Sequence, residues 1–170
     1  MRRAVALLLS ALLATPCAWA QEQAQGGGRQ IASLVVSPVE LVELAPPDQR
    51  YDEAADAARA QMLGRRIRAA LEKSHRYRLI DAGTPPYRYS DCEACLADWA
   101  RAQGADFALV TWVQKESRLI VMINMALIDV AHPDRPAAGG SIDLRGDTDE
   151  TWLAGAGQLL DRTVGVQLSP

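Results

Sequence analysis

Hydrophobic and polar positions along the chain switch between the period of a strand and the period of a helix. Residues 31–36 are apolar and largely β-branched, which predicts a first strand that Pro38 ends. Residues 39–44 are expected to extend this strand after the break. The longest helical pattern covers residues 52–74, where apolar side chains recur every three or four positions. Its buried stripe is expected to comprise Ala60, Leu63, Ile67, Ala70 and Leu71.

The middle of the chain predicts a strand, a second helix and a hairpin. Residues 77–81 alternate between apolar and basic side chains as a short strand, and residues 91–103 have the apolar face of a helix. The nearly unbroken apolar run at 106–114 is typical of a central strand that is covered on both faces. A polar turn at 115–118 then leads into a partner strand at 119–129.

The last part of the chain predicts a loop, a strand and a helix. Residues 132–140 hold two prolines and two glycines and are expected to form the loop, whereas residues 141–145 alternate as a strand. The helix is expected to start at Asp147, because Asp147 and Glu150 have the spacing of a capping box. Its buried stripe is expected to comprise Trp152, Ala156, Leu159, Leu160 and Thr163.

The predicted order of elements is therefore β-α-β-α-β-β-β-α. Helices that alternate with strands, followed by a meander of strands, predict an α/β (α+β) protein. We expect a single mixed sheet with the helices packed on it. The single globular domain is expected to cover residues 31–168.

The first 20 residues have the pattern of a secretory signal peptide. Arg2 and Arg3 precede an apolar stretch that is too short for a permanent membrane anchor, and Ala18-Trp19-Ala20 predicts cleavage after Ala20. Residues 21–30 contain three consecutive glycines and are expected to be a flexible tether. The sequence thus predicts a secreted periplasmic protein with no transmembrane segment in the mature chain.

Composition and charge narrow the class of partner. The chain is 49% hydrophobic and 23% charged, as in ordinary globular proteins. Removal of the leader takes away Arg2 and Arg3 and no acid, which leaves 16 basic and 21 acidic residues and a net charge of about −5. Nucleic-acid binding depends on neutralising phosphates, so no nucleic-acid partner is expected.

The pair Cys92 and Cys95 is the most specific local feature. In an oxidising compartment two cysteines at this spacing are expected to form a structural disulfide. The alternative is a redox-active pair, because a helix N-terminus lowers the pKa of a thiol, although Asp91 would oppose thiolate formation. A metal site is a third possibility, with His75 and His132 as the available histidines.

A basic interaction face is predicted on the long helix. It comprises Arg59, Arg65, Arg66 and Arg68. Such a face suits docking to an acidic protein or to a lipid surface. The more ordinary interpretation is a solvated helix face whose charges pair with Glu72 and Asp56.

The acidic residues near the last helix also have two interpretations. They are Asp143, Asp147, Asp149 and Glu150. Converging carboxylates hold hard cations, but the spacing is not that of an EF-hand loop. We favour acids that match the dipole of a helix N-terminus.

No catalytic motif is present in the sequence. It contains no G-x-S-x-G, P-loop, Rossmann glycine pattern or H-E-x-x-H. We therefore predict no catalytic residue, cofactor or metal ligand, and the sequence favours a protein that is not an enzyme. Asn124, inside an apolar strand, is expected to be a hydrogen-bonded core amide or an outward-facing residue.

Several features between Asp91 and Trp152 resemble a family of small secreted bacterial proteins that is known only as a domain of unknown function. They are Cys92 with Cys95, Gly104-Ala105-Asp106, Trp112-Val113-Gln114-Lys115, the strand at 119–129, Ser141-Ile142-Asp143-Leu144-Arg145-Gly146, and Thr148-Asp149-Glu150-Thr151-Trp152. The element order also resembles the amino-terminal domain of TolB and related envelope lipoproteins, which implies a docking module.

These observations support three functional hypotheses. The first is a periplasmic accessory or binding protein that docks to another envelope protein. The family resemblance implies an association with periplasmic alcohol oxidation by quinoprotein dehydrogenases. The second is a thiol-disulfide redox protein that uses Cys92 and Cys95, and the third is a carrier of a small ligand or metal.

Overall fold

Strands and helices alternate through the part of the chain that the computed structural model describes, residues 31–44, 53–117 and 119–168. The strands are β1 (Ser33–Val36), β2 (Glu40–Glu43), β3 (Arg78–Ile80), β4 (Phe107–Lys115), β5 (Ile120–Asp129) and β6 (Pro136–Arg145). The helices are α1 (Glu53–Ser74), α2 (Glu93–Ala102) and α3 (Asp149–Val164). The predicted leader at 1–20 and tether at 21–30 lie outside the described residues.

All the described strands belong to one mixed sheet, which confirms the predicted fold class and element order. The strand order is β3-β1-β4-β5-β6, and β2 also pairs with β4. The pairs among β1, β2, β3 and β4 are parallel, whereas β5 and β6 follow as an antiparallel meander. No helix in the described ranges combines the length and apolar character needed to cross a bilayer.

The extension predicted at 39–44 is a separate strand on the same edge of β4 as β1. Val36 pairs with Leu109 and Glu40 pairs with Trp112, so the chain between β1 and β2 holds one more residue than the facing segment of β4. Pro38 lies in this break and has no N–H to donate to a ladder. The break therefore divides one edge of β4 between two short strands.

The helices cover opposite faces of the sheet. Leu109 and Val113 of β4 lie in the core cluster shared with α1 and α3, whereas Ala108 and Val110 lie in the cluster shared with α2. This alternation follows from the period of two in a strand and confirms a central strand buried on both faces. The stripes predicted for the long helix and the last helix are buried at every position.

Strand β6 is longer than predicted, so the expected loop at 132–140 is wrong for its second half. β6 is the last strand in the sheet order and begins at Pro136. Proline has no N–H to donate to a neighbouring strand, and the first residue of an edge strand does not need one. A Cβ at Gly139 would lie 2.6 Å from the carbonyl oxygen of Met125. The glycine therefore serves close strand pairing with β5 and is not a sign of a loop.

The start of the last helix also differs from the prediction. The N-cap is Thr148, whose hydroxyl accepts from the backbone N–H of Thr151 at 3.2 Å, and the Thr151 hydroxyl accepts from the N–H of Thr148 at 3.1 Å. The capping box is thus Thr148 with Thr151, and not Asp147 with Glu150. The Asp147 carboxylate has a different role, in a buried ion network.

Lys115 is the centre of this ion network. The residue was expected to begin a polar turn, but it ends β4 and is only 3% exposed. Its Nζ donates to Asp56 Oδ2 at 2.5 Å and to Asp147 Oδ2 at 2.7 Å. Burial alone lowers the pKa of Lys115, but the hydrogen bonds to both carboxylates outweigh burial and leave this pKa above its usual value.

Arg59 extends the network towards α3. Its guanidinium donates to Asp56 at 3.1 Å, to Asp147 at 2.8 Å and to Asp149 at 2.9 Å. The same guanidinium lies 5.2 Å from the ring centroid of Trp152, whose Nε1 donates to Asp147 at 3.0 Å. These contacts join the start of α1, the end of β4 and the start of α3.

We predict that Lys115→Met lowers the free energy of unfolding by about 3–5 kcal/mol, because it leaves buried carboxylates without their cation. Lys73→Met, at an exposed position near the end of α1, is the matched control and should change stability little. Urea unfolding followed by circular dichroism measures both. A loss below about 1 kcal/mol for Lys115→Met would show that the network is not a strong constraint.

Candidate functional site

A groove lies at the carboxyl ends of the parallel strands β1 and β3. The chain leaves β1 and β2 towards α1 on one face of the sheet and leaves β3 towards α2 on the other. A crevice is expected where neighbouring parallel strands continue to opposite faces, and ligands of open α/β sheets bind at such points. The groove has a volume of about 570 Å³.

One wall of the groove comes from the sheet and the other from α1. The sheet side is the break between β1 and β2 together with the segment that follows β3. The helix side combines small residues with the longer side chains of Gln61, Arg65 and Arg68. The apolar and small lining residues are Val36, Pro38, Val39, Leu41, Ala57, Ala60, Gly64 and Gly83.

Two of the predicted arginines reach this groove. Arg65 and Arg68 are three positions apart on α1, so they share a helix face, and both line the groove. Arg65 is exposed and Arg68 is half-buried, and no ion pair joins either to another side chain that the structure describes. Asp81, after β3, is an exposed carboxylate in the lining.

The other two predicted arginines lie apart from the groove. Arg66 is exposed and does not contribute to the described lining. Arg59 is half-buried and pairs with three carboxylates. One of them is Asp56, which the interpretation as a solvated helix face gives as a partner of the basic residues. The structure thus brings together Arg65 and Arg68 and assigns Arg59 to the ion network.

Cys92 and Cys95 lie on the other side of the sheet, at the start of α2. Their sulfurs are 1.99 Å apart, and both residues are half-buried. Cys92 is the N-cap, and its Sγ accepts from the backbone N–H of Cys95 at 3.2 Å. The preceding turn is held by the carboxylate of Glu40, which accepts from the N–H groups of Tyr89 and Ser90. This arrangement fixes the start of α2 against β2.

The remaining candidate residues have structural surroundings. Asp147 and Asp149 bind cations of the protein itself, Lys115 and Arg59. In the described ranges no group of three or more His, Cys, Asp or Glu side chains is arranged to hold a metal ion. Asn124 is 4% exposed and confirms the prediction of a hydrogen-bonded amide. It donates to Gln114 Oε1 at 2.9 Å and accepts from Ser141 Oγ at 2.5 Å.

Sequence reasoning missed the sheet side of the groove and its glycine. Val39, Asp81 and Gly64 come from three separate segments. The pairing of β1 with β3 brings the first two together, and the packing of α1 on the sheet adds Gly64. Gly64 was the one available signal, because a glycine inside a long helix costs stability unless its lack of a side chain serves a purpose.

Several solved structures are similar to this chain. The LpoB C-terminal domain from Salmonella enterica is 17% identical, with 68% of this chain and 83% of that chain covered and a TM-score of 0.46. TolB from Acinetobacter baumannii is 11% identical, with 81% of this chain and 29% of TolB covered and a TM-score of 0.49. The PelC dodecamer from Paraburkholderia phytofirmans is 17% identical, with 76% and 81% covered and a TM-score of 0.42. TolB, whose amino-terminal domain the element order resembles, is one of these matches.

No curated protein matches this sequence. A family model does match, and it covers most of the predicted globular domain. Residues 32–164 match the DUF3280 model, described as "Protein of unknown function (DUF2380)". This match confirms the resemblance to a family of unknown function, and the chain belongs to this family.

Proposed function

We propose that the protein is a non-enzymatic periplasmic accessory protein that docks another envelope protein in the groove between α1 and the carboxyl ends of β1 and β3. One observation carries this proposal: Arg65 and Arg68 line an apolar groove, and neither forms an ion pair with an acidic side chain that the structure describes. Arginines that line an apolar groove are suited to bind a partner's carboxylates.

The chemistry of the groove favours binding over catalysis. Its apolar walls gain free energy when a partner's side chains displace water from them. Arginine is enriched at protein interfaces, where its guanidinium binds carboxylates with two parallel hydrogen bonds. The described lining offers Asp81 as its carboxylate and neither histidine nor cysteine, which suits recognition better than nucleophilic or acid–base chemistry.

The cellular part of the proposal rests on the leader that the sequence predicts at 1–20 and on the sequence features that resemble small secreted bacterial proteins. Export places the groove in the envelope, where its partner would be another protein of that compartment. The association with quinoprotein alcohol oxidation stays a prediction.

Gly64 supports a role for the open groove. It lies within α1, where glycine is about 0.5–1 kcal/mol less favourable than alanine. A Cβ there would lie 3.6 Å from Val39 Cγ2, an ordinary van der Waals contact, so packing does not require a glycine. A side chain longer than that of alanine at this position would extend into the space between α1 and the break in the sheet.

We expect Gly64→Ala to raise the free energy of unfolding by about 0.5–1 kcal/mol and to leave docking unchanged. Gly64→Met should remain folded but weaken docking, because its side chain fills the groove. Ala58→Met, at an exposed position on α1 outside the groove, is the control for the added side chain. Equal docking by Gly64→Met and Ala58→Met would contradict a role for the groove.

The central test combines cross-linking with charge reversal. A photo-cross-linking residue at Gln61, which lines the groove, is used in living cells to capture the partner in the periplasm. Arg65→Glu with Arg68→Glu should lower the cross-linking yield about tenfold, because interface arginines contribute strongly to affinity. The control, Arg145→Glu with Arg162→Glu, changes the net charge equally at two exposed positions and should leave the yield unchanged. If both double variants cross-link equally, the proposal is wrong.

Replacement of the cysteines separates docking from the redox alternative. Cys92→Ser with Cys95→Ser keeps an N-cap oxygen at position 92, and α2 lies across the sheet from the groove. We therefore expect the variant to cross-link its partner from Gln61 as efficiently as the natural protein. A loss of partner binding with an intact far-UV spectrum would instead favour a thiol-disulfide function.

A further inference from the structure

The outer edge of β2 pairs with no strand within the described part of the chain. β1 pairs with β3 on one side and with β4 on the other, whereas β2 pairs with β4 alone. β3 is only three residues long and ends before it reaches β2. Among the described residues, no strand continues the line of β3 beside β2.

The backbone of β2 presents hydrogen-bonding groups to this open side. The N–H of Leu44 donates to the Lys115 carbonyl at 3.0 Å, so the backbone groups of alternate residues face β4. In a parallel ladder, every second residue of a strand points both its N–H and its C=O away from the neighbouring strand. Leu44 faces β4, so the N–H and the C=O of Leu41, three residues earlier, point to the outer edge of β2. The Leu41 carbonyl confirms this direction, since it accepts from Arg88 Nη2 at 2.6 Å on that side. An added strand would bind the Leu41 N–H directly and would displace the half-exposed Arg88 side chain from the Leu41 carbonyl.

The groove runs along the same edge. Val39 and Leu41 contribute its sheet side, and Asp81 lies where the line of β3 stops. Small residues of α1, Ala60 and Gly64 among them, leave space between the helix and the edge. The groove is thus the space into which an added strand would fit, with α1 packed over one of its faces.

We propose that the groove binds an extended acidic segment of the partner protein, which adds to the outer edge of β2 as a strand. In such strand addition, backbone hydrogen bonds provide affinity and alternate side chains provide specificity. On this proposal, the side chains of the bound segment that face α1 are small or apolar opposite Gly64 and acidic opposite Arg65 and Arg68. Neither arginine forms an ion pair with an acidic side chain that the structure describes. This inference rests on the proposed function and states which chemistry docks.

A displayed library of random twelve-residue peptides, selected on the exported protein, supplies the probe. The expected peptides alternate β-branched residues with aspartate or glutamate. Binding of the best synthetic peptide is then measured by fluorescence anisotropy. The affinity for the peptide should fall about tenfold in Arg65→Glu with Arg68→Glu, because the variant removes the charge pairs with the peptide's acidic residues. The affinity should also fall as the salt concentration rises, because salt screens these charge pairs.

Leu41→Pro tests strand addition itself. Proline at this position removes the outward N–H but none of the bonds between β2 and β4, and proline is tolerated on edge strands. Leu41→Ala is the matched control, since it loses the same side-chain packing and keeps the N–H. We expect Leu41→Pro to bind the peptide about tenfold more weakly than Leu41→Ala, with thermal unfolding confirming that both are folded.

The outcomes separate this inference from the proposed function. If charge reversal abolishes peptide binding but Leu41→Pro binds as Leu41→Ala does, acidic docking stands and strand addition is wrong. The inference is also overturned if no peptide is enriched, if the enriched peptides are basic, or if the groove mediates self-association of the protein. The proposed function is overturned as well only if Arg65→Glu with Arg68→Glu leaves the cross-linking of the natural partner unchanged.

Discussion

The buried contact of Lys115 with Asp56 and Asp147 is the constraint on which the arrangement of this protein depends. A lysine that is 3% exposed is stable only where carboxylates repay the loss of hydration, and those carboxylates come from α1 and from the segment before α3. The contact therefore fixes the start of α1 against the end of β4. Because α1 forms one wall of the groove, the same contact holds the start of that wall against the sheet.

The second constraint is the break between β1 and β2. Parallel pairing to a single edge of β4 would allow one continuous strand, but Pro38 and the extra residue divide it. β3 then pairs with β1 only, and β2 keeps an outer edge along which the groove runs. Polar groups at this edge and arginines on the helix above it make the groove suitable for a polypeptide.

Much of the fold follows from short-range patterns in the sequence. The stripes of α1 and α3 and the doubly covered strand β4 have periodicities that burial imposes directly, and each was predicted. The errors have physical causes. Gly139 is typical of a loop by composition, but it belongs to a strand because the backbone of Met125 approaches closely. Asp147 has the spacing of a helix cap, but Lys115 and Trp152 bind its carboxylate.

The candidate site was less predictable than the fold. The sequence identified Arg65 and Arg68 as part of a basic face, but it did not separate them from Arg59, because only the fold places Asp147 and Asp149 beside that residue. Nor did the sequence indicate the groove, whose walls come from segments far apart in the chain. Charge clusters can be found from composition, whereas the partners that neutralise them depend on tertiary structure.

Hydrogen–deuterium exchange of the protein with and without its cross-linked partner tests the central claim most directly. The account predicts slower exchange on binding at residues 36–42 and at 57–68, which border the groove, and no change in α2. Protection confined to α2 or to β6, with unchanged exchange along the groove, would contradict it.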